Sequence, residues 1–229
     1  MVIRGVQKLT LLDYPGKVAA TVFSPGCNMR CPFCHNGTLV TSTEAGHLPE
    51  EDVLAFLRKR QGLLDGVCFT GGEPLLQKDI LDFMKRVKEL GYSIKLDSNG
   101  FLPDRLAEVI GSGAVDYIAM DIKNSPERYA VTAGLKVMDL SRITESISLI
   151  RSSGIDHEFR TTVVRQLHDE QSIEGAAAMV AGTGKYFLQN FVDSGDLIVP
   201  GMTGYTKAEM ETLLEAARRQ VPKAELRGV

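Results

Sequence analysis

Val18-Ala19-Ala20-Thr21-Val22-Phe23 runs directly into Ser24-Pro25-Gly26-Cys27-Asn28-Met29-Arg30-Cys31-Pro32-Phe33-Cys34-His35-Asn36. The first six residues read as a strand. Three cysteines then fall within eight residues, spaced x3 and x2. Outward from this point the chain alternates strand-like runs with amphipathic stretches. The further strands are expected at Gly66–Thr70, Ser93–Asp97, Tyr117–Ile122, His157–Val164 and Lys185–Val192. Ile80, Phe83, Met84, Val87 and Leu90 mark one face of a helix, with Gly91 as its stop. Leu140, Ile143, Ile147 and Ile150 repeat the pattern before Gly154. A last helix begins at the capping-box signature Thr206-x-x-Glu209 and is expected to bury Met210, Leu213, Leu214 and Ala217. Six βα units in series predict a parallel sheet with right-handed crossovers and helices outside. Six are fewer than the eight of a closed barrel. Two α/β arrangements fit the pattern, a partial (β/α)6 TIM-like barrel with helices outside and a doubly wound sheet. In such folds chemistry sits at the C-terminal ends of the strands, which is where the cysteines fall.

The bulk properties narrow the classes. The chain has 229 residues, 44% hydrophobic and 24% charged, enough apolar surface for a core and too much for a disordered chain. With 4 cysteines it is no disulfide scaffold. The formal net charge of −3, from 26 basic and 29 acidic residues, argues against binding nucleic acid through phosphate neutralisation. No run is long enough to cross a bilayer, and Asp13 and Pro15 interrupt the N-terminal apolar stretch that a signal peptide would need. A cytoplasmic location with reduced cysteines is expected. No break in composition divides the chain, so residues 1–229 are expected to be one domain.

Three thiolates on one loop can bind three corners of an iron–sulfur cube and leave one iron open, whereas the usual cluster takes four cysteines. An open coordination position is what a catalytic metal needs. Other readings exist. Cys27, Cys31, Cys34 and His35 could hold zinc, although adjacent Cys34 and His35 are awkward tetrahedral partners. Cys31-x-x-Cys34 could be a redox pair, which leaves Cys27 unexplained. Cys68, inside the second strand between Val67 and Phe69, reads as a buried structural thiol or as a fourth ligand.

The other strand ends carry unusual residues too. The second ends in Gly71-Gly72-Glu73-Pro74, where glycines let backbone approach a ligand or simply form a turn. The third ends in Asp97-Ser98-Asn99-Gly100, which alone reads as a turn before a helix. The fourth ends in Asp121-Ile122-Lys123, an acid and a base on one face that could form a salt-bridged pair. On the fifth, Glu158, Arg160 and Thr162 share a face, and Arg160 could pair with a carboxylate or lie at the mouth. The sixth carries Gln189-Asn190-Phe191.

The Cys-x3-Cys-x2-Cys loop, with Phe33 before the last cysteine, resembles the signature of radical S-adenosylmethionine (SAM) enzymes. That resemblance implies a [4Fe–4S] cluster on Cys27, Cys31 and Cys34, its remaining iron chelated by SAM. One electron then cleaves SAM to methionine and a 5′-deoxyadenosyl radical. Gly71, Gly72 and Glu73 resemble the family's GGEP motif, which contacts the methionyl amino group. More narrowly, the chain is similar to activating enzymes of glycyl-radical enzymes. In these, aspartates matching Asp97 and Asp121 help bind a monovalent cation beside the cofactor carboxylate, with Ser98 in the same shell. Lys123, Arg160 and Asn36 would line the site. The segment Leu9–Lys17 (LTLLDYPGK), the Cys34-His35-Asn36 run and the length resemble the activating proteins of anaerobic ribonucleoside-triphosphate reductase. The likeness spans about Ile3 to Val192. Related activases carry a histidine in the last strand that contacts the cofactor ribose; here Gln189 or Asn190 would substitute. No cysteine-rich insertion is present, so an external donor such as flavodoxin or ferredoxin is implied.

The expected function is therefore a radical SAM activase that installs a glycyl radical on a partner enzyme, with anaerobic ribonucleotide reductase foremost. A radical SAM enzyme acting on a small molecule or modified nucleobase is the alternative. A non-catalytic metal-binding module is the third reading.

Overall fold

The computed structural model describes residues 1–41 and 46–228. Eight strands form one sheet in sequential order: β1 (Gly5–Thr10), β2 (Ala19–Ser24), β3 (Gly66–Gly71), β4 (Ser93–Ser98), β5 (Tyr117–Asp121), β6 (Asp156–Val163), β7 (Tyr186–Asn190) and β8 (Glu225–Arg227). All neighbours pair in parallel except β1, which lies antiparallel on β2 with Val6 opposite Val22. The six strands expected from sequence are β2 to β7. The six βα units are therefore present, and two more strands, an antiparallel one and a short parallel one, extend the sheet at its edges to eight. β1 escapes notice because it is an edge strand with three exposed residues in a row, Gln7, Lys8 and Leu9. An edge of this kind needs no apolar alternation, and its lysine discourages pairing with a second chain.

Helices α1 (Gly37–Thr41), α2 (Glu50–Arg58), α3 (Ile80–Glu89), α4 (Pro103–Gly111), α5 (Tyr129–Thr132), α6 (Leu140–Ser152), α7 (Glu170–Met179) and α8 (Lys207–Arg218) fill the connections. The expected faces are the buried ones: Ile80, Phe83, Met84 and Val87 on α3; Ile143, Ile147 and Ile150 on α6; Met210, Leu213, Leu214 and Ala217 on α8. The capping box at Thr206 forms, with Thr206 and Glu209 each satisfying the other's backbone N–H. Asp169 and Ser172 make a second one at the start of α7. Among the described residues, no helix is long and apolar enough to cross a membrane.

The concave face of the sheet carries charge. Lys95 on β4 is 1% exposed and pairs with Asp97, while Glu158 on β6 is equally buried. Burial of such groups is tolerated only when each finds a partner. Glu158 accepts three hydrogen bonds from two partners: Tyr117 Oη donates at 3.0 Å, and the Arg227 guanidinium donates two bonds at 2.9 Å from β8. This explains a three-residue terminal strand. Adding β8 carries Arg227 over Phe187, 3.9 Å from the ring centroid, onto an otherwise under-paired carboxylate. Burial raises the Glu158 pKa, but the Arg227 hydrogen bonds and the Arg160 charge outweigh it and hold the group below the usual range.

Candidate active site

A cavity of about 190 Å³ opens at the C-terminal ends of β2 to β6. Cys27, Cys31 and Cys34 line it from the loop after β2, and Asp97, Asp121 and Arg160 line it from the strands opposite. Residues after the first and on the fifth of seven parallel strands can share one cavity only because the sheet curls.

The cysteine loop is fixed at several points. The Cys34 N–H donates to the Cys31 carbonyl at 3.0 Å, closing the turn between the last two cysteines. The Arg30 N–H donates to Ala133 O at 2.9 Å, and the Val199 N–H to Pro32 O at 3.0 Å. Asp196, 158 residues on from Thr38, accepts from the Thr38 backbone at 3.1 Å and from its hydroxyl at 2.7 Å. Phe33 and His35 both pack edge-on against Phe191.

The Gly71-Gly72 turn is more than a turn. Gly71 has φ +118°, a conformation closed to most side chains. A Cβ on Gly72 would overlap the Gly26 carbonyl oxygen next to Cys27. Asn36 donates from Nδ2 to Gly71 O at 2.9 Å, so the residue after the cysteines ties that loop to the glycines. Gly72→Ala is expected to push backbone against backbone. The effect is a loss of about 1–3 kcal/mol, the range for overpacking, and a lower iron content after anaerobic reconstitution. Unchanged melting temperature and iron load would contradict this close-packing role.

The Glu73 side chain is turned away from the cavity and does not line it. It is 1% exposed and accepts from the Leu75 N–H at 3.1 Å, Ser98 Oγ at 3.1 Å and the Asn99 N–H at 2.7 Å. Burial pushes its carboxyl up to about 7 against the pull of those three donors. Its geometry is that of a brace for the loop after β4.

Asp97, Asp121, Lys123 and Arg160 form one ionic cluster. Arg160 donates to Asp121 Oδ1 at 3.0 Å and to Asp97 Oδ2 at 3.3 Å; Lys123 donates to Asp121 Oδ2 at 3.0 Å. Burial opposes the Asp121 charge, but Lys123 and Arg160 overcome it and hold the carboxyl well below the usual range. By the same coupling, burial pulls the Lys123 and Arg160 pKa values down, but their carboxylate partners outweigh it and hold both above the usual range. A depressed folded-state pKa stabilises above the ordinary carboxylate range, and that stability is lost as pH falls through and below it. Asp121→Asn is thus expected to lower the melting temperature at pH 7. Between about pH 5 and pH 3 it should also flatten the decline seen in the wild type. Parallel curves would show that Asp121 carries no linked proton.

Cys68 is fully buried, does not line the cavity, and has Lys95 Nζ 3.9 Å from its sulfur. It is therefore placed as a structural thiol and not as a fourth ligand. Burial pushes the Cys27 and Cys34 thiols up, and Cys31 up to about 11. That is the reverse of a redox pair, whose attacking thiol has a depressed pKa. Among the described residues, no three His, Cys, Asp or Glu side chains are placed to hold a single metal ion. Three sulfurs lining one cavity are a donor set for three corners of an iron–sulfur cube. Of the sequence candidates, Asn36, Gly71, Gly72, Asp97, Ser98, Asp121, Lys123 and Arg160 join the cysteines at the cavity. Gln189 does not, and Asn190 is engaged with the Tyr205 backbone through both ends of its amide. Asn99 lines the cavity and escaped the sequence reading, although its place just after the β4 strand end was the available signal.

Comparison with known proteins agrees with this geometry. The Radical SAM superfamily pattern matches residues 21–176. A Methanocaldococcus jannaschii protein provisionally named a glycyl-radical enzyme activating enzyme is 33% identical over 197 residues, covering 82% of this chain and 79% of that protein. The pyruvate formate-lyase-activating enzyme of Clostridium pasteurianum is 32% identical over 127 residues, 53% of this chain and 52% of that one. In structure, SuiB of Streptococcus suis bound to precursor peptide SuiA superposes with a TM-score of 0.71 at 15% identity, over 91% of this chain and 48% of SuiB. The chain belongs to the radical SAM superfamily and is an oxidoreductase of that class. Membership implies a [4Fe–4S] cluster and SAM as cofactors.

Proposed function

We propose that the chain is an activase that installs a glycyl radical on a partner enzyme, with an anaerobic ribonucleotide reductase as the foremost candidate. The carrying observation is the three-thiol loop facing an ionic shell in a relative of glycyl-radical enzyme activating enzymes. When bound, the cluster and SAM supply a one-electron reduction and a carbon radical able to remove a hydrogen atom. The chain supplies everything else. Cys27, Cys31 and Cys34 hold the iron. Gly71 and Gly72 offer backbone without side chains where the methionyl group would lie. Asp97, Asp121, Lys123 and Arg160 form a charged wall suited to a zwitterionic cofactor, Ser98 adds a hydroxyl beside it, and Asn36 spans the two loops. Asp97 and Asp121 are already paired with Lys95, Arg160 and Lys123. A monovalent cation would compete for the same oxygens, and the reading does not need one. The hydrogen leaves as an atom, so no general base is required.

With three thiols at the cavity and the fourth enclosed in β3, the chain offers no ligand set for a second cluster among its four cysteines. The electron is therefore assigned to an external donor such as flavodoxin or ferredoxin. The test is anaerobic incubation of reduced, reconstituted protein with SAM and candidate glycyl-radical enzymes, read by electron paramagnetic resonance. A carbon-centred radical on the partner is expected. SAM cleavage with no radical on any partner would overturn the activase reading and favour a small substrate.

A further inference from the structure

A backbone N–H reaches two of the cavity sulfurs, Met29 to Cys27 and Asn36 to Cys34, and a side-chain amide also reaches Cys27. The Cys27 sulfur thus receives two N–H groups: the Met29 backbone at 3.4 Å and Asn99 Nδ2 at 3.6 Å. The first is local to the loop. The second spans 72 residues and comes from a side chain held on every side. Asn99 is 6% exposed. Its Nδ2 also donates to Asn28 Oδ1 at 2.8 Å, its Oδ1 accepts from the Phe101 N–H at 3.0 Å, and its own N–H donates to Glu73 Oε2 at 2.7 Å. Glu73 has no direct access to the cavity, yet it fixes the residue that does.

A donor aimed at a ligand sulfur acts on the metal's electronics. It withdraws charge from the thiolate and so favours the more negative, reduced cluster. We propose that Asn99 raises the reduction potential of the cluster held by Cys27, Cys31 and Cys34 through its amide bond to Cys27, with Glu73 as the positioning residue behind it. The inference rests on the cluster-binding reading above. It gives the buried acid of Gly71-Gly72-Glu73-Pro74 a task at the iron rather than at SAM. It also matters to function, because an external donor can reduce only a cluster whose potential lies within its reach.

The experiment compares wild type, Asn99→Ala and Asn99→Asp after anaerobic reconstitution, without SAM or partner. Iron per chain is measured first, then the midpoint potential by redox titration followed by electron paramagnetic resonance. Iron content should match in all three, since the thiols are intact. Asn99→Ala should lower the reduction equilibrium constant about tenfold, which is about 59 mV for one electron. Asn99→Asp keeps an acceptor for Phe101 but turns the donor into a carboxylate, so its midpoint should fall further. A loop that merely loosened would admit water and move the potential upward, so the sign separates tuning from structural damage. An unchanged or raised midpoint in both variants overturns the inference. So does loss of the cluster from both, because Asn99 is assigned no part in retaining it. A wild type that binds no cluster overturns the functional reading instead.

Discussion

Cys31→Ala is expected to yield a folded, colourless protein that leaves SAM intact. Cys31 is the middle ligand, 8% exposed, and its carbonyl anchors the turn that presents Cys34. The substitution keeps that backbone bond and removes only the sulfur. Two thiolates then remain for a cluster that needs at least three. Iron binding and SAM cleavage should fall by more than about 100-fold, beyond the range for losing a supporting hydrogen bond to a metal ligand. The fold should lose only about 1 kcal/mol, as for a typical point substitution. Iron assay, visible absorption and far-ultraviolet circular dichroism separate these effects. Wild-type iron content in folded Cys31→Ala would remove the loop from the account.

The largest stability effect is expected at Arg160. Its guanidinium lies between Asp97 and Asp121 and 4.0 Å from Glu158. Arg160→Ala leaves the two cavity carboxylates with only Lys95 and Lys123 and a void between them. Removing one partner from a buried ionic group destabilises by about 3–5 kcal/mol when the remaining charge is left uncompensated, and the surviving pairs with Lys95 and Lys123 place this loss toward the lower end. Arg160→Lys restores a charge but not the fork that reaches two carboxylates at once, so it should recover part of the loss. Urea denaturation reads both. An Arg160→Ala midpoint equal to wild type would mean that the wall is held by the two lysines alone.

Sequence and structure agree most where a rule of the chain is strong. β2 to β7 are short apolar runs buried against helices, and α3, α6 and α8 carry unambiguous apolar faces. The cysteines and the strand-end residues were legible because a parallel sheet puts its chemistry at one end. What stayed hidden depends on partners distant in sequence. β8 is only three residues long and brings Arg227 to Glu158, 69 residues away in sequence. Asp196 clamps Thr38 from a connection with no periodic pattern. Glu73 reads as a cofactor contact from its motif, but only the fold shows it turned inward to Ser98 and Asn99. Asn99 itself looks like an ordinary turn residue until β4 and the cysteine loop are brought side by side.

The central claim is that one loop gives a cluster three sulfur ligands and leaves one iron for SAM. Mössbauer spectroscopy of protein reconstituted with 57Fe, with and without SAM, tests it most directly. The account predicts a cubane in which a single iron changes its signal when SAM is added. Four irons that ignore SAM, or no cubane at all, would contradict it.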